Sequence, residues 1–231
     1  MASSKAVVLI TGANQGIGYS IALQLAASGK YHVLVGARSL SKAEAAIREL
    51  QAEGIDKINL TPIVLDVIDD SSVTAAVMAV STQFGHLDIL INNAGAGRIF
   101  CRHPVTDAFL PLIQASSYTD RRIVNVSSGV GLITMANEEG FEYNAQAYYV
   151  PDYRSSKAAV NMITVAQSVN FAKHDIAVVA AAPGMCRTRF TGGYGAKDPR
   201  EGAAAIVRAA TEGDPKKLTG TFVADEPHTG W

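Results

Sequence analysis

The sequence predicts an α/β domain built on a parallel sheet, on three observations. Its 231 residues are 48% hydrophobic and 18% charged, which suits one well-buried core over residues 1–231 better than two small ones. An apolar run, Ala6 to Ile10, leads directly into a glycine-rich turn and then a helical pattern. Short apolar runs and amphipathic stretches then keep alternating, as strands joined by crossover helices do.

The turn is Thr11-Gly12-Ala13-Asn14-Gln15-Gly16-Ile17-Gly18, followed by helical spacing at Ile17, Ile21 and Leu25. Gly12, Gly16 and Gly18 let the backbone turn tightly and approach a pyrophosphate. The helix start offers unpaired N–H groups and the positive end of its dipole to that charge. Gly12, Asn14, Gln15, Gly16, Ile17 and Gly18 are therefore cofactor candidates, the alternative being a tight turn and nothing more.

The next strand, Tyr31 to Val35, leads to Gly36-Ala37-Arg38-Ser39, about 20 residues beyond the turn, where an acidic residue would hold a ribose hydroxyl. Arg38 stands there instead. A guanidinium suits a 2′-phosphate and offers no acceptor to a ribose, which points to NADP(H) over NAD, with Ser39 beside it and Lys42 in reach. The other reading is a solvated charge opening a helix.

A helix from about Ser41 to Ala52 and a strand ending Ile63-Val64-Leu65-Asp66-Val67 follow. Asp66, with Val67, sits where ligands bind in open sheets and is suited to adenine N6; the alternative is a helix cap, for which Asp69, Asp70 and Ser71 are better placed. A helix from about Ser71 to Phe84 precedes the strand Leu87 to Ile91. That strand ends in Asn92-Asn93-Ala94-Gly95, whose small residues let a cofactor lie close.

Farther along, Tyr153 and Lys157 lie four apart in a helical run and so share one face. An ammonium close to a phenol favours the phenolate, making the tyrosine a usable acid or base near neutrality. A plain helix-surface pair is the alternative.

Five motifs stand in one order: Thr11 to Gly18, Asn92 to Gly95, Ser127-Ser128 after Ile123 to Val126, Tyr153 with Lys157, and Pro183-Gly184 with Thr188. In this the chain resembles the short-chain dehydrogenase/reductases over nearly its whole length, and Tyr153 to Ala159 is most similar to their NADPH-dependent, carbonyl-reductase-like branch. The resemblance implies a Rossmann-type, doubly wound, three-layer α/β/α sheet of about seven strands. It also implies Tyr153 as general acid, Lys157 on the nicotinamide ribose, Ser128 orienting the carbonyl and Ser127 as a cofactor-side neighbour. Asn92, Ala94, Gly95, Pro183, Gly184 and Thr188 would line the cofactor, Thr188 at the carboxamide.

Two departures from the family pattern stand out. Ser128 and Tyr153 are 25 apart (153 − 128), about twice the family's usual separation. The interval, 129–152, holds Phe141, Tyr143, Tyr148 and Tyr149 and forms either a substrate wall, with 185–200, or a surface loop. Between Gly95 and Ile123 the chain is short. The stretch Ile99 to Leu112 resembles the second half of a family helix, about 20 residues are missing before it, Arg98 stands where the family's catalytic Asn would be, and Pro104 would disturb the remnant.

The glycine-rich stretch Arg189 to Lys197 suggests a mobile flap. The net charge of −1, without a Lys/Arg cluster, gives no reason to expect nucleic acid or an anionic membrane as partner. Two cysteines, Cys101 and Cys186, and no apolar run of spanning length suggest a reduced, cytoplasmic chain, and five scattered histidines no metal site. The expected partner is a small carbonyl or alcohol substrate; monomer and homodimer stay open, because the shortened helix carries the family's usual dimer surface. The function classes are an NADP(H)-dependent oxidoreductase interconverting a ketone or aldehyde and an alcohol, or an impaired or inactive NADP(H)-binding relative.

Overall fold

The computed structural model describes residues 5–95, 104–225 and 231. Seven strands form one parallel sheet, ordered β3-β2-β1-β4-β5-β6-β7. They are β1 (Ala6–Ile10), β2 (Tyr31–Ala37), β3 (Leu60–Val64), β4 (Ile89–Asn92), β5 (Arg122–Val126), β6 (Ala177–Ala181) and β7 (Phe222–Val223). The helices between them are α1 (Gly16–Ala27), α2 (Leu40–Ala52), α3 (Asp70–Phe84), α4 (Pro104–Gln114), α5 (Pro151–Phe171), α6 (Pro199–Thr211) and α7 (Pro215–Leu218).

Helices cover both faces, so the central strands are apolar throughout; every residue of β1 and β6 is buried. On one face Val8, Ile10, Val33 and Val35 pack against α1, α2 and α6 through Ile21, Leu25, Ile47 and Ile206. On the other, Val7, Leu9, Leu34 and Leu90 meet α3 and α4 through Val73, Val80, Phe109 and Ile113. This is the three-layer, doubly wound Rossmann arrangement.

The face of α5 turned to the sheet is polar. Asn125, fully buried in β5, donates to Thr164 Oγ1 and Gln167 Oε1, both at 3.0 Å, and accepts from Asn92 at 2.9 Å. Fixed partners of this kind set how far α5 slides along the sheet, which apolar contact alone would leave loose.

Several boundaries differ from the sequence reading. Asp66 lies two residues past β3, and the strand expected over Leu87 to Ile91 is Ile89–Asn92. Pro104 opens α4 and does not disturb it, since a first helical residue needs no N–H; the helix runs on past Pro111. Arg98 and Ile99 to Cys101 lie outside the described residues. Among the described residues no helix is long and apolar enough to cross a membrane.

Candidate active site

β1 and β4 are neighbours whose crossovers run to opposite sides, which opens a crevice at their carboxyl ends. The glycine turn fills its floor. Thr11 N donates to Ile91 O at 3.0 Å and Ala13 N to Gly36 O at 2.8 Å, so the turn is bonded to both neighbouring strands. A Cβ on Gly18 would stand 2.4 Å from Gly12 O, and Gly16 has φ +57°, so both positions call for glycine.

Asn93 secures the turn from β4. Its amide donates to Thr11 O at 2.9 Å and Gly12 O at 3.2 Å, while the Asn93 and Ala94 N–H groups donate to Thr11 Oγ1 at 2.9 Å. The sequence reading chose Asn92. That side chain instead turns into the α5 network, donating to Thr106 Oγ1 and Asn125 Oδ1. Ala94 lies against Gly12, and Gly95 is exposed.

The first turn of α1 has no acidic residue, and its N-cap, Gln15, makes no side-chain cap. Its leading N–H groups suit an anion in the crevice. Asn14 is half-buried and Gln15 exposed beside it, whereas Ile17 packs on the core. Thr188 faces this point, its methyl 3.6 Å from where a Cβ on Gly16 would be.

Arg38 follows β2 directly and is exposed; among the described residues no carboxylate pairs with it. Ser39 caps α2 without a side-chain bond, its hydroxyl 3.2 Å from that of Ser41. Leu65 N donates to Ala37 O at 2.8 Å, which keeps Asp66 and Val67 near Arg38. Asp66 accepts from Ile68 N at 3.3 Å, and it is Asp69 that caps α3.

Beyond β4, the ends of β5 and α5 bring Ser128, Tyr153 and Lys157 together. The Ser128 hydroxyl lies near enough to that of Tyr153 to favour the phenolate. Lys157 Nζ lies 5.8 Å from the Tyr153 ring centre and donates to Val126 O at 2.9 Å. The sequence reading had the ammonium lower the Tyr153 pKa. Here burial raises it, Ser128 opposing and Tyr148 adding to the rise, while the ammonium is bonded to Val126 O. Burial brings Lys157 down to about 8.

Ser127, expected as a cofactor-side neighbour, has its hydroxyl turned to α5. It is buried and donates to Asn161 Oδ1 at 2.5 Å, while Asn161 donates to Gly131 O at 3.1 Å. Asn161 stands one turn beyond Lys157 and braces the serine strand against α5.

Two segments border the triad. In 129–152, the Tyr143 ring would meet a Cβ on Gly129 at 3.2 Å and stands edge-on to Phe141 and Tyr148. Burial, together with Glu142, pushes the Tyr143 hydroxyl up to about 12, with the nearby Met185 backbone opposing. In the second segment Phe190, 74% exposed, tilts toward the Tyr153 ring at 5.9 Å.

The neck of this second segment is closed, so it is less free than its glycines suggest. Cys186 and Lys197 form a parallel bridge, Arg187 N donates to Lys197 O at 2.9 Å, and Lys197 pairs with Asp225. Thr191 Oγ1 donates back to Cys186 O at 2.8 Å. Pro183 and Cys186 are buried beneath, and Gly184, at φ +71°, lies against Lys197. Among the described residues no group of three His, Cys, Asp or Glu side chains could hold a metal.

The family model described as short chain dehydrogenase matches residues 6–108 and 104–199. The chain is 50% identical to the short-chain dehydrogenase anuI of Penicillium roqueforti over 97% of its own length and 96% of the relative's. It is 30% identical to the 5-keto-D-gluconate 5-reductase of Escherichia coli, covering 94% of this chain and 86% of that one. Among solved structures it resembles NADPH-bound carbonyl reductase from chicken fatty liver, at 27% identity and a TM-score of 0.81, over 98% of this chain and 99% of that one.

Proposed function

The chain belongs to the short-chain dehydrogenases, and from that premise we propose that it is an NADP(H)-dependent reductase of a ketone or aldehyde. The observation that carries this is the Ser128–Tyr153–Lys157 cluster beside an uncapped helix start. The crevice suits a dinucleotide: glycines at 16 and 18 let the turn keep its tight course, α1 presents N–H groups to the pyrophosphate, and Arg38, which no carboxylate among the described residues pairs with, suits a 2′-phosphate. When bound, the cofactor supplies hydride.

Ser128 positions the carbonyl oxygen, and Tyr153 gives it a proton. A tyrosine held neutral by burial is in the form reduction requires; oxidation of an alcohol requires the phenolate, which burial opposes. Lys157, its ammonium held at Val126 O, faces the crevice from the same helix and suits a ribose hydroxyl.

The test is a fluorescence titration with NADPH and NADH, followed by turnover on a carbonyl panel. NADPH should bind ahead of NADH, and Tyr153→Phe should lower turnover by about a hundredfold or more while leaving NADPH affinity intact. Equal binding of both cofactors removes the role of Arg38, and undiminished turnover in Tyr153→Phe removes the mechanism.

A further inference from the structure

We propose that Arg154 sets the substrate wall of the cleft, and with it a preference for bulky, ring-bearing carbonyl compounds over small ones; this rests on the reductase reading above. Arg154 follows Tyr153 in the first turn of α5, the positive end of that helix, where a cation is locally unfavourable. Among the described residues no carboxylate pairs with it.

Its guanidinium goes to backbone carbonyls of the 129–152 segment. Nε and Nη2 donate to Tyr148 O at 3.1 and 3.0 Å, Nη1 donates to Val130 O at 3.1 Å, and Nη2 also donates to Tyr143 O. Three carbonyls, at Val130, Tyr143 and Tyr148, are thus held by one planar fork, a task a single ammonium cannot repeat.

What those carbonyls place decides the consequence. Val130 is two residues past Ser128. Tyr143 lays its ring against Gly129 and reaches Met185, where the second wall begins and leads to Phe190 beside Tyr153. Arg154 therefore fixes a ring-lined surface next to the reacting tyrosine. A small carbonyl needs only Ser128 and Tyr153, whereas a large aromatic one also needs the rings held in place.

The experiment compares acetonaphthone with diacetyl as substrates of the NADPH-loaded chain, for the wild type and for Arg154→Lys and Arg154→Met. The wild type should favour acetonaphthone in kcat/KM. In both variants the acetonaphthone-to-diacetyl ratio should fall about tenfold or more, through KM rather than kcat, with NADPH affinity within about twofold. An unchanged ratio, or an equal loss on both substrates through kcat, overturns the proposal. If the wild type reduces neither ketone, the reductase reading fails, and the wall is read by hydrogen exchange instead. Faster exchange in Arg154→Met confined to residues 132–149 then upholds the role of Arg154, and unchanged exchange there overturns it.

Discussion

The cofactor edge and the substrate edge of this molecule are held by different means. At the cofactor edge the turn from Thr11 to Gly18 is tied to β2 and β4 by main-chain bonds and by the adjacent Asn93, and its shape depends on glycines that no other residue replaces. At the substrate edge, 129–152 is fastened by side chains, chiefly Arg154 with help from Asn161 and Thr134, and 185–197 is closed by its own neck and the Lys197–Asp225 pair. The contrast teaches that a grip on a common ligand is written into the sheet, while the walls around a variable ligand are fastened on afterwards.

The largest expected effect breaks the first half of that comparison. Gly18→Ala places a methyl 2.4 Å from Gly12 O and 2.5 Å from Asn93 Nδ2, neither of which has room to move. Stability should fall by about 1–3 kcal/mol, with NADPH affinity at least about tenfold weaker. Denaturant unfolding and the same titration check this, and a variant that keeps both shows the edge is softer than described.

A smaller effect of opposite sign comes from Lys157, whose pKa burial lowers to about 8 from 10.5. Below pH 8 the lysine is protonated in both the folded and unfolded states, and the full cost of burying the charge is present. From pH 8 upward the folded chain loses that proton before the unfolded chain does, so stability rises with pH, by at most about 1.4 kcal/mol per unit. Tyr153, raised by burial, acts in the opposite sense only above pH 10. Lys157→Met should thus stabilise the cofactor-free chain at pH 7 and flatten the rise between pH 8 and 10, while ending turnover. Parallel pH-dependent slopes for the two proteins would show that the ammonium is not the source.

The smallest effect sharpens the second half. Asp225 pairs with Lys197 and Arg208, but each of these groups is about one-third exposed. Asp225→Asn should cost less than about 1 kcal/mol, since water and salt screen such pairs. Thermal melts at low and high salt should converge; a loss of several kcal/mol would make the neck of the second wall as integral as the glycine turn.

The sheet, the glycine turn and the Tyr153–Lys157 face were legible because each is a local pattern: an apolar run, a spacing of three glycines, a helical step of four. Asn93 was passed over for Asn92 because neighbouring asparagines in a strand differ only in the face they turn to, and the strand's last residues decide that. Asn125 was missed as a fixing point because its partners are remote in sequence, and Arg154 because its partners are main-chain carbonyls of an irregular segment, which no local pattern marks. Each nevertheless left a trace: a cation at the positive end of a helix, and an amide inside the apolar run Ile123 to Val126. A residue that local rules disfavour points to a distant contact that repays it.

The approach of the Tyr143 hydroxyl to the Met185 backbone makes a seam between the two walls. A chimera that takes 129–152 from a relative while keeping 185–197 would sever that seam and leave a tyrosine hydroxyl facing an unmatched backbone. Grafting both segments together, with the arginine at 154, keeps the two sides of that seam matched.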